Sequence, residues 1–316
     1  MPPKNQPANI NKQSDQTASS ALAEIVERFT GRDGTHPTAI PSVTLYRRSH
    51  PTEPVYGVDR PAFCIVAQGS KDVMFGETMY RYDPDHYLVV SVDLPTIVKV
   101  VDASPRTPYL GLHIDIDPAL VGEIIMESSL AVSGGQAFKP GLFVSPFTSD
   151  LREAVLRLLR LLENPRDIRV LEPLIKREII YRLLTDDKAR ILRQIAMTNS
   201  QAQSILRAIG WLKENYAQPL HIDEMARELH ISPSSLHHVF KSITSISPLQ
   251  YQKRLRLQEA RRLMIGEGLD ATNAGLRVGY GSPSQFSREY HRLYGVPPLS
   301  DIARLRKGNS STDNPF

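Results

Sequence analysis

Cys64 is the only cysteine among 316 residues, so no intrachain disulfide can form. That usage fits a reducing compartment. Long apolar runs are also missing. No stretch approaches the roughly 18 consecutive apolar residues that a spanning helix requires. The N-terminal stretch has no basic segment followed by an apolar run, so no secretory signal is expected. A large charge of one sign is lacking too, the formal net charge being +4. These shortages together predict a soluble, intracellular, cytoplasmic protein without membrane association.

What is present is a repeat. Ser232-Pro233-Ser234, then Leu236, Phe240 and Pro248, recurs fifty residues later as Ser282-Pro283-Ser284, Phe286, Tyr290 and Pro298. Each copy reads as a capped amphipathic helix. Serine at the N-cap accepts from free backbone N–H groups, and proline at the next position sacrifices no hydrogen bond. Apolar residues four apart share the inward face, which leaves a face of small and polar residues exposed.

The charge is unevenly placed. Residues 201–307 hold 15 Lys/Arg against 9 Asp/Glu, whereas residues 40–130 hold 7 against 12. A basic segment after an acidic one points to a polyanionic partner for the C-terminal part.

The chain divides into five stretches. Residues 1–20 are polar and without periodicity, which predicts a disordered tail. Residues 21–130 start with a short helix over Ala21–Thr30. Short β-branched runs follow at Val43–Tyr46, Phe63–Gln68, Val73–Phe75, Met79–Tyr82, Tyr87–Ser91, Ile97–Val101 and Leu110–Ile116. Strands so spaced, with a hairpin at Gly76-Glu77, predict an antiparallel sandwich or small barrel. Asp117-Pro118 opens a further helix. Residues 131–200 form a helical linker whose two leucine-rich stripes serve as core, as a subunit contact, or as both; Pro173 is read into the first turn of the second stripe. Residues 201–307 are all-helical, and 308–316 are a second polar tail. The fold class is therefore α+β and multidomain.

Each repeated helix follows a short helix and a tight turn, with Ala226 and Gly275 where the two helices would cross closely. This is helix-turn-helix logic, with the second helix protruding into the major groove. The exposed positions are Ser234, Ser235, His237 and His238 in the first copy, and Ser284, Gln285, Ser287 and Arg288 in the second. Arg288 can make a two-pronged contact with guanine, and Gln285 with adenine. The helix from Pro248 to Ile265, about 27 Å long, would space the two readers. It carries Lys253, Arg254, Arg256, Arg261 and Arg262, of which Lys253 and Arg254 are the expected phosphate contacts.

The residues Ile231-Ser232, Phe240-Lys241, Ser247-Pro248-Leu249-Gln250-Tyr251, Arg254-Leu255-Arg256-Leu257, Ala260-Arg261-Arg262-Leu263, Val278-Gly279-Tyr280, Phe286-Ser287-Arg288 and Pro297-Pro298 resemble the AraC/XylS family of bacterial transcription regulators. Further upstream, Tyr80-Arg81-Tyr82-Asp83-Pro84 and His86 to Pro95 resemble the regulatory half of one subgroup. The resemblance implies a seven-helix domain with two helix-turn-helix units that binds double-stranded promoter DNA, carried near the nucleoid. It also implies a cupin-like barrel that senses a small-molecule effector and supports a homodimer. RNA polymerase is a further candidate partner. The chain departs from the family at His230 and Ser245, where glycine is usual, at His238, where arginine is usual, and at Gly275, where alanine is usual.

The effector site is not legible from spacing; Cys64, His86 and His113 are the candidates. His113 and Asp115 alternate on one strand and share a face, and with His86 they are the residues a metal would use. No tight histidine cluster accompanies them, so neither a metal, nor a cofactor, nor an enzyme activity is expected. A metal-dependent cupin enzyme with an attached DNA-binding module, and a DNA-binding protein whose barrel only dimerises, stay open as alternatives.

Overall fold

The computed structural model describes residues 7–128, 130, 138–196 and 201–308. The chain opens with α1 (Pro7–Thr30) and continues with nine strands: β1 (Gly34–Pro37), β2 (Val43–Arg48), β3 (Val55–Asp59), β4 (Ala62–Gln68), β5 (Ser70–Phe75), β6 (Thr78–Tyr82), β7 (His86–Val90), β8 (Leu94–Asp102) and β9 (Tyr109–Asp115). Then come α2 (Pro118–Ser128), β10 (Leu142–Pro146), α3 (Ser149–Arg160), α4 (Pro165–Thr185) and α5 (Arg190–Ala196).

The strands form two antiparallel sheets, ordered β1-β2-β9-β4-β7-β10 and β3-β8-β5-β6. The two antiparallel sheets meet the sandwich or small barrel that the strand spacing called for, in the cupin-like form that the family resemblance implied. Alternation sorts the side chains. On the larger sheet Leu45, Phe63, Ile65, Leu112 and Ile114 are buried at the outer face, where α1 lies across β2, β4 and β9 and against α3. Tyr46, Cys64, Tyr109 and His113 occupy the opposite face, toward the smaller sheet.

Three expectations need correction. The tail over 1–20 is helical from Pro7, because α1 extends far upstream of Ala21. A domain boundary at 130 would cut off β10, which pairs with β7 from Leu142↔Val90 to Pro146↔His86. Pro173 stands inside α4 rather than in its first turn, since that helix starts at Pro165. The leucine stripes also divide. Leu151, Val155, Leu158, Leu159 and Leu162 are core, whereas Leu171 and Leu174 are exposed beside Val170. The expected tail over 308–316 lies outside the described residues beyond Gly308.

The C-terminal region contains α6 (Gln201–Glu214), α7 (Ile222–Glu228), α8 (Pro233–Thr244), α9 (Pro248–Gly266), α10 (Ala271–Arg277), α11 (Pro283–Tyr294) and α12 (Pro298–Gly308). Its first half shares one apolar core with the barrel, through Leu236, Phe240 and Tyr251. Its second half has a separate core around Phe286, Tyr290 and Tyr294.

Candidate nucleic-acid interface and effector chamber

The caps expected at the repeat are present. Ser232 Oγ accepts from the Ser235 N–H at 3.1 Å, and Ser282 Oγ accepts from the Gln285 N–H at 3.3 Å. Both helices end on a left-handed residue, Ser245 (φ 61) after α8 and Gly295 (φ 75) after α11. His230, in the turn between α7 and α8, also has positive φ (56). Its homologous position in the second unit is Gly279, at φ 90. The crossing of α10 and α11 is tight enough that a Cβ on Gly275 would lie 2.9 Å from Phe286 Cγ, which accounts for the absence of a side chain there.

Leu236, Phe240, Phe286 and Tyr290 point inward and are fully buried. Ser234, His237 and His238 on α8 are exposed, as are Ser284, Gln285, Ser287 and Arg288 on α11. Ser235 is half-buried. The Arg288 side chain makes one long hydrogen bond, from Nε to the Ser284 carbonyl at 3.4 Å. The rest of its fork faces outward.

The basic spacer α9 turns out differently. Arg254 is half-buried and donates to the Pro95 carbonyl at 3.3 Å, across the junction with the barrel. Lys253 pairs with Glu289 of α11 at 2.7 Å. Arg256 donates to the carbonyls of Tyr216, Gln218 and Gly279. Arg261 pairs with the buried Asp301, and Arg262 with Glu259 and Glu267. In this arrangement the cations of α9 tie the domain together, and Lys253 and Arg254, the expected phosphate contacts, are engaged with Glu289 and the Pro95 carbonyl. Glu289 is a node of this network. Burial pushes its carboxyl up, but Lys253, Tyr280 and Gln285 outweigh burial and hold it below the usual carboxylate range.

Inside the barrel a second constellation forms. Cys64 and His113 are register partners on β4 and β9. The Tyr46 hydroxyl lies 2.7 Å from His113 Nδ1, and His113 Nε2 lies 3.6 Å from Asp115. The smaller sheet contributes Asp59, whose carboxylate accepts from Thr96 Oγ1 at 2.7 Å, and Lys71, whose ammonium stands 6.0 Å from the Tyr46 ring centre. Tyr82 and Tyr109 lie beside them. Burial pushes the Cys64 thiol up to about 12, with Asp59 adding to the effect. A thiol so placed is protonated at neutral pH, which is the reverse of what a reactive sensor needs. Burial also lowers His113 to about 4, with Lys71 and Arg60 helping and Asp115 opposing. It is therefore a neutral imidazole.

Two of the three effector candidates thus meet, Cys64 and His113. His86 does not join them; its Nδ1 lies 2.8 Å from Asp83 at a half-exposed edge. Tyr46, Asp59, Lys71 and Tyr109 were missed. The alternation of β2, β5 and β9 placed them on a common parity, but only the pairing of sheets shows which parities face each other. Among the described residues, no group of three or more His, Cys, Asp or Glu side chains is arranged to hold a metal ion. No described helix is long and apolar enough to cross a membrane.

Residues 39–191 match the family described as AraC-type transcriptional regulator N-terminus, and residues 225–302 match a helix-turn-helix domain family. The chain is 28% identical over 166 residues to the HTH-type transcriptional regulator ArgR of Pseudomonas aeruginosa, covering 52% of this chain and 50% of that one. It is 29% identical over 135 residues to the HTH-type transcriptional activator RhaS of Shigella boydii, covering 42% and 47%. The chain thus spans about half the length of the curated relatives it matches. Among solved structures it is similar to ToxT from Vibrio cholerae O395, with TM-score 0.48, 12% identity, and coverage of 82% of this chain and 96% of that one. An AraC-type regulator from Chromobacterium violaceum matches at TM-score 0.31 and 26% identity, over 32% of this chain and 91% of that one. The two family matches fall on the barrel and on the twin helix-turn-helix units, in the expected order, and the chain belongs to the AraC/XylS family of transcription regulators.

Proposed function

We propose that this chain is a ligand-responsive transcription regulator that binds promoter DNA through α8 and α11 under control of its barrel. The observation that carries the reading is the pair of capped helices with exposed polar N-terminal faces, joined by α9. Ser234, Ser235, His237 and His238 on α8, and Ser284, Gln285, Ser287 and Arg288 on α11, are the DNA-facing residues. The polar cluster of Tyr46, Asp59, Cys64, Lys71, Tyr109 and His113 is the effector site. A ligand there acts only by binding one arrangement of the domains more tightly than another. The domains run 7–196 for barrel and linker helices, and 201–308 for DNA binding. The exposed strip of Val170, Leu171, Leu174 and Tyr181 on α4 suits a homodimer contact. The protein works in the cytoplasm, at the nucleoid, with RNA polymerase as a further partner.

The test is a gel-shift series with single-base variants of a promoter site selected from genomic DNA. Arg288→Ala should cost about 1–3 kcal/mol and relax choice at one base pair. The double variant His237→Ala, His238→Ala should lose less discrimination, because neither imidazole offers a two-pronged guanine contact. Equal affinity and equal preference for Arg288→Ala and wild type would refute the assignment.

A further inference from the structure

The two reading helices stop in the same way but on different chemistry. Each closes on a left-handed residue whose N–H donates to the carbonyl four residues back, Ser245 to Lys241 and Gly295 to His291, both at 2.8 Å. Gly295 has no side chain to strain, and a Cβ built on it would meet nothing within 4 Å. Ser245 holds φ 61 with a Cβ in place, a conformation that residues other than glycine rarely adopt. Its surroundings supply the reason. The Ser245 side chain packs on the tip of the β5–β6 hairpin, where Gly76, itself at φ 62, leaves a notch. A Cβ on Gly76 would lie 2.7 Å from Ser245 Cβ. The serine is a knob in a hole that glycine keeps open.

A second contact lies two residues upstream. The Gly141 N–H donates to the Ile243 carbonyl at 2.8 Å, taking up one of the acceptors that the last turn of a helix leaves without an intrahelical partner. The approach is close, since a Cβ on Gly141 would stand 3.1 Å from that carbonyl oxygen and 3.2 Å from Ser91 Oγ. Ser91 follows β7 and donates to the Gly141 carbonyl through its N–H at 2.8 Å and its Oγ at 2.7 Å. The end of α8 is thereby fastened to β7, the strand that pairs with Cys64 on β4. Leu236 and Phe240 carry the apolar core of the barrel into the same helix. The second reader is held differently. Among the described residues no backbone hydrogen bond joins α11 to the barrel. Its core is separate, and it meets the barrel through side chains, with Tyr294 edge-on to Tyr56 at 4.8 Å.

We propose that Ser245 and Gly141 are positioning residues that seat the C-terminal end of α8 in the barrel, so that the barrel sets the orientation of the first reader while α9 sets that of the second. This rests on reading α8 and α11 as the DNA-binding helices, and adds which of them the barrel governs. A shift of β7 reaches α8 through the hydrogen bonds of Ser91 and Gly141, and reaches α11 only through side-chain packing and the length of α9. Regulation is therefore unequal. A ligand that favours one state of the barrel changes the half of the DNA site under α8, and the half under α11 is read alike in both states.

The experiment is hydrogen–deuterium exchange of the full chain without DNA, read by mass spectrometry. The variants are Gly76→Asn, Gly76→Asn combined with Ser245→Gly, and Gly141→Val. Asparagine tolerates the left-handed region while still carrying a Cβ, and Gly141 lies outside that region, so valine there adds bulk without that backbone strain. Both single wedges should raise exchange in α8 by about tenfold or more and leave α11 within about twofold of wild type. The double variant should return α8 close to wild type, because the serine that the wedge struck is gone; a general loss of stability would not be reversed in this way. If Gly76→Asn does not fold, the double variant must fold and Gly141→Val must still loosen α8 alone. Unchanged exchange in α8, an equal rise in α11, or a double variant no better than Gly76→Asn would each overturn the proposal. Gel shifts on the selected promoter give the second readout. The wedges should weaken base preference under α8 and keep the preference at the base pair that Arg288 reads. A wild-type chain that binds no DNA would sink the DNA-binding reading, while the exchange data would still decide whether the barrel seats α8.

Discussion

Asp301 holds the second helix-turn-helix unit together, and neutralising it should be severe. Its side chain has no solvent exposure. Arg261 donates to it through Nε at 2.8 Å and a terminal nitrogen at 3.1 Å, the Tyr290 hydroxyl donates at 2.7 Å, and Arg304 donates at 3.1 Å. These partners belong to α9, α11 and α12, so one carboxylate joins three helices. The partners differ in worth. Arg304 is 54% exposed, and its loss should cost no more than about 1 kcal/mol. Tyr290→Phe removes a hydrogen bond to a charged group, about 1.5–3 kcal/mol. Asp301→Asn keeps the volume but leaves the Arg261 charge uncompensated and turns an amide donor toward other donors. Breaking a buried pair in this way costs about 3–5 kcal/mol. For a unit of this size, that lowers the melting midpoint by at least 12 °C or so at about 4–8 °C per kcal/mol. Far-UV circular dichroism on heating is the assay. A pH series supplies the sign. Burial pushes the Asp301 carboxyl up, but Arg261 and Tyr290 outweigh burial and bring it below the ordinary value. Its contribution is therefore complete above the unfolded carboxylate value near 4 and is lost as pH falls through the lower native value. The gap between wild type and Asp301→Asn should stay level from neutral pH to about pH 5 and close below that. A gap of only a few degrees at neutral pH, or one that widens on acidification, refutes the reasoning.

Three other outcomes can be checked directly. His230→Gly should raise unfolding stability by roughly 0.5–1 kcal/mol, because a side chain at φ 56 is strained; a loss of stability in urea titration contradicts this. Gly279→Ala should destabilise strongly, since its Cβ would overlap the Ala217 carbonyl at a φ that alanine rarely adopts; an unchanged midpoint contradicts it. Cys64 should react slowly with iodoacetamide in the native protein at neutral pH and faster once urea unfolds the barrel, because the half-buried thiol stays protonated; rapid native alkylation, read by mass spectrometry, would restore the sensor reading.

Much of the secondary structure could be read locally. Seven of the ten strands among the described residues were visible as β-branched runs, among them Phe63–Gln68 and Tyr87–Ser91. Those that escaped, β1, β3 and β10, are short and carry Gly34, Pro37, Gly57 and Pro146, which blur the strand signal. The extension of α1 to Pro7 runs through polar residues with no apolar stripe, so periodicity had nothing to detect. The exposed residues of α8 and α11 were legible because a cap fixes where a helix starts, and spacing then fixes which side chains lie opposite its apolar face. The polar cluster inside the barrel was only partly so, since it joins Cys64 and His113 to residues of the other sheet.

The physical reason is the range of the interactions. Ser232-Pro233 and Ser282-Pro283 act within one turn of helix, so sequence alone determined two capped helices, their order and their unlike exposed faces. It also determined that His113 and Asp115 share a strand face. Only the tertiary structure decided that Cys64 meets His113 across β4 and β9, while Asp59 and Lys71 approach from the other sheet. It alone turned the basic residues of α9 toward Glu289, Asp301 and the Pro95 carbonyl, because a helix commits its side chains to neighbours that lie far away in the chain. Tyr290 is the sharpest case. Its ring was expected on the inward face, but the hydrogen bond from its hydroxyl to Asp301 depends on how α12 packs against α11.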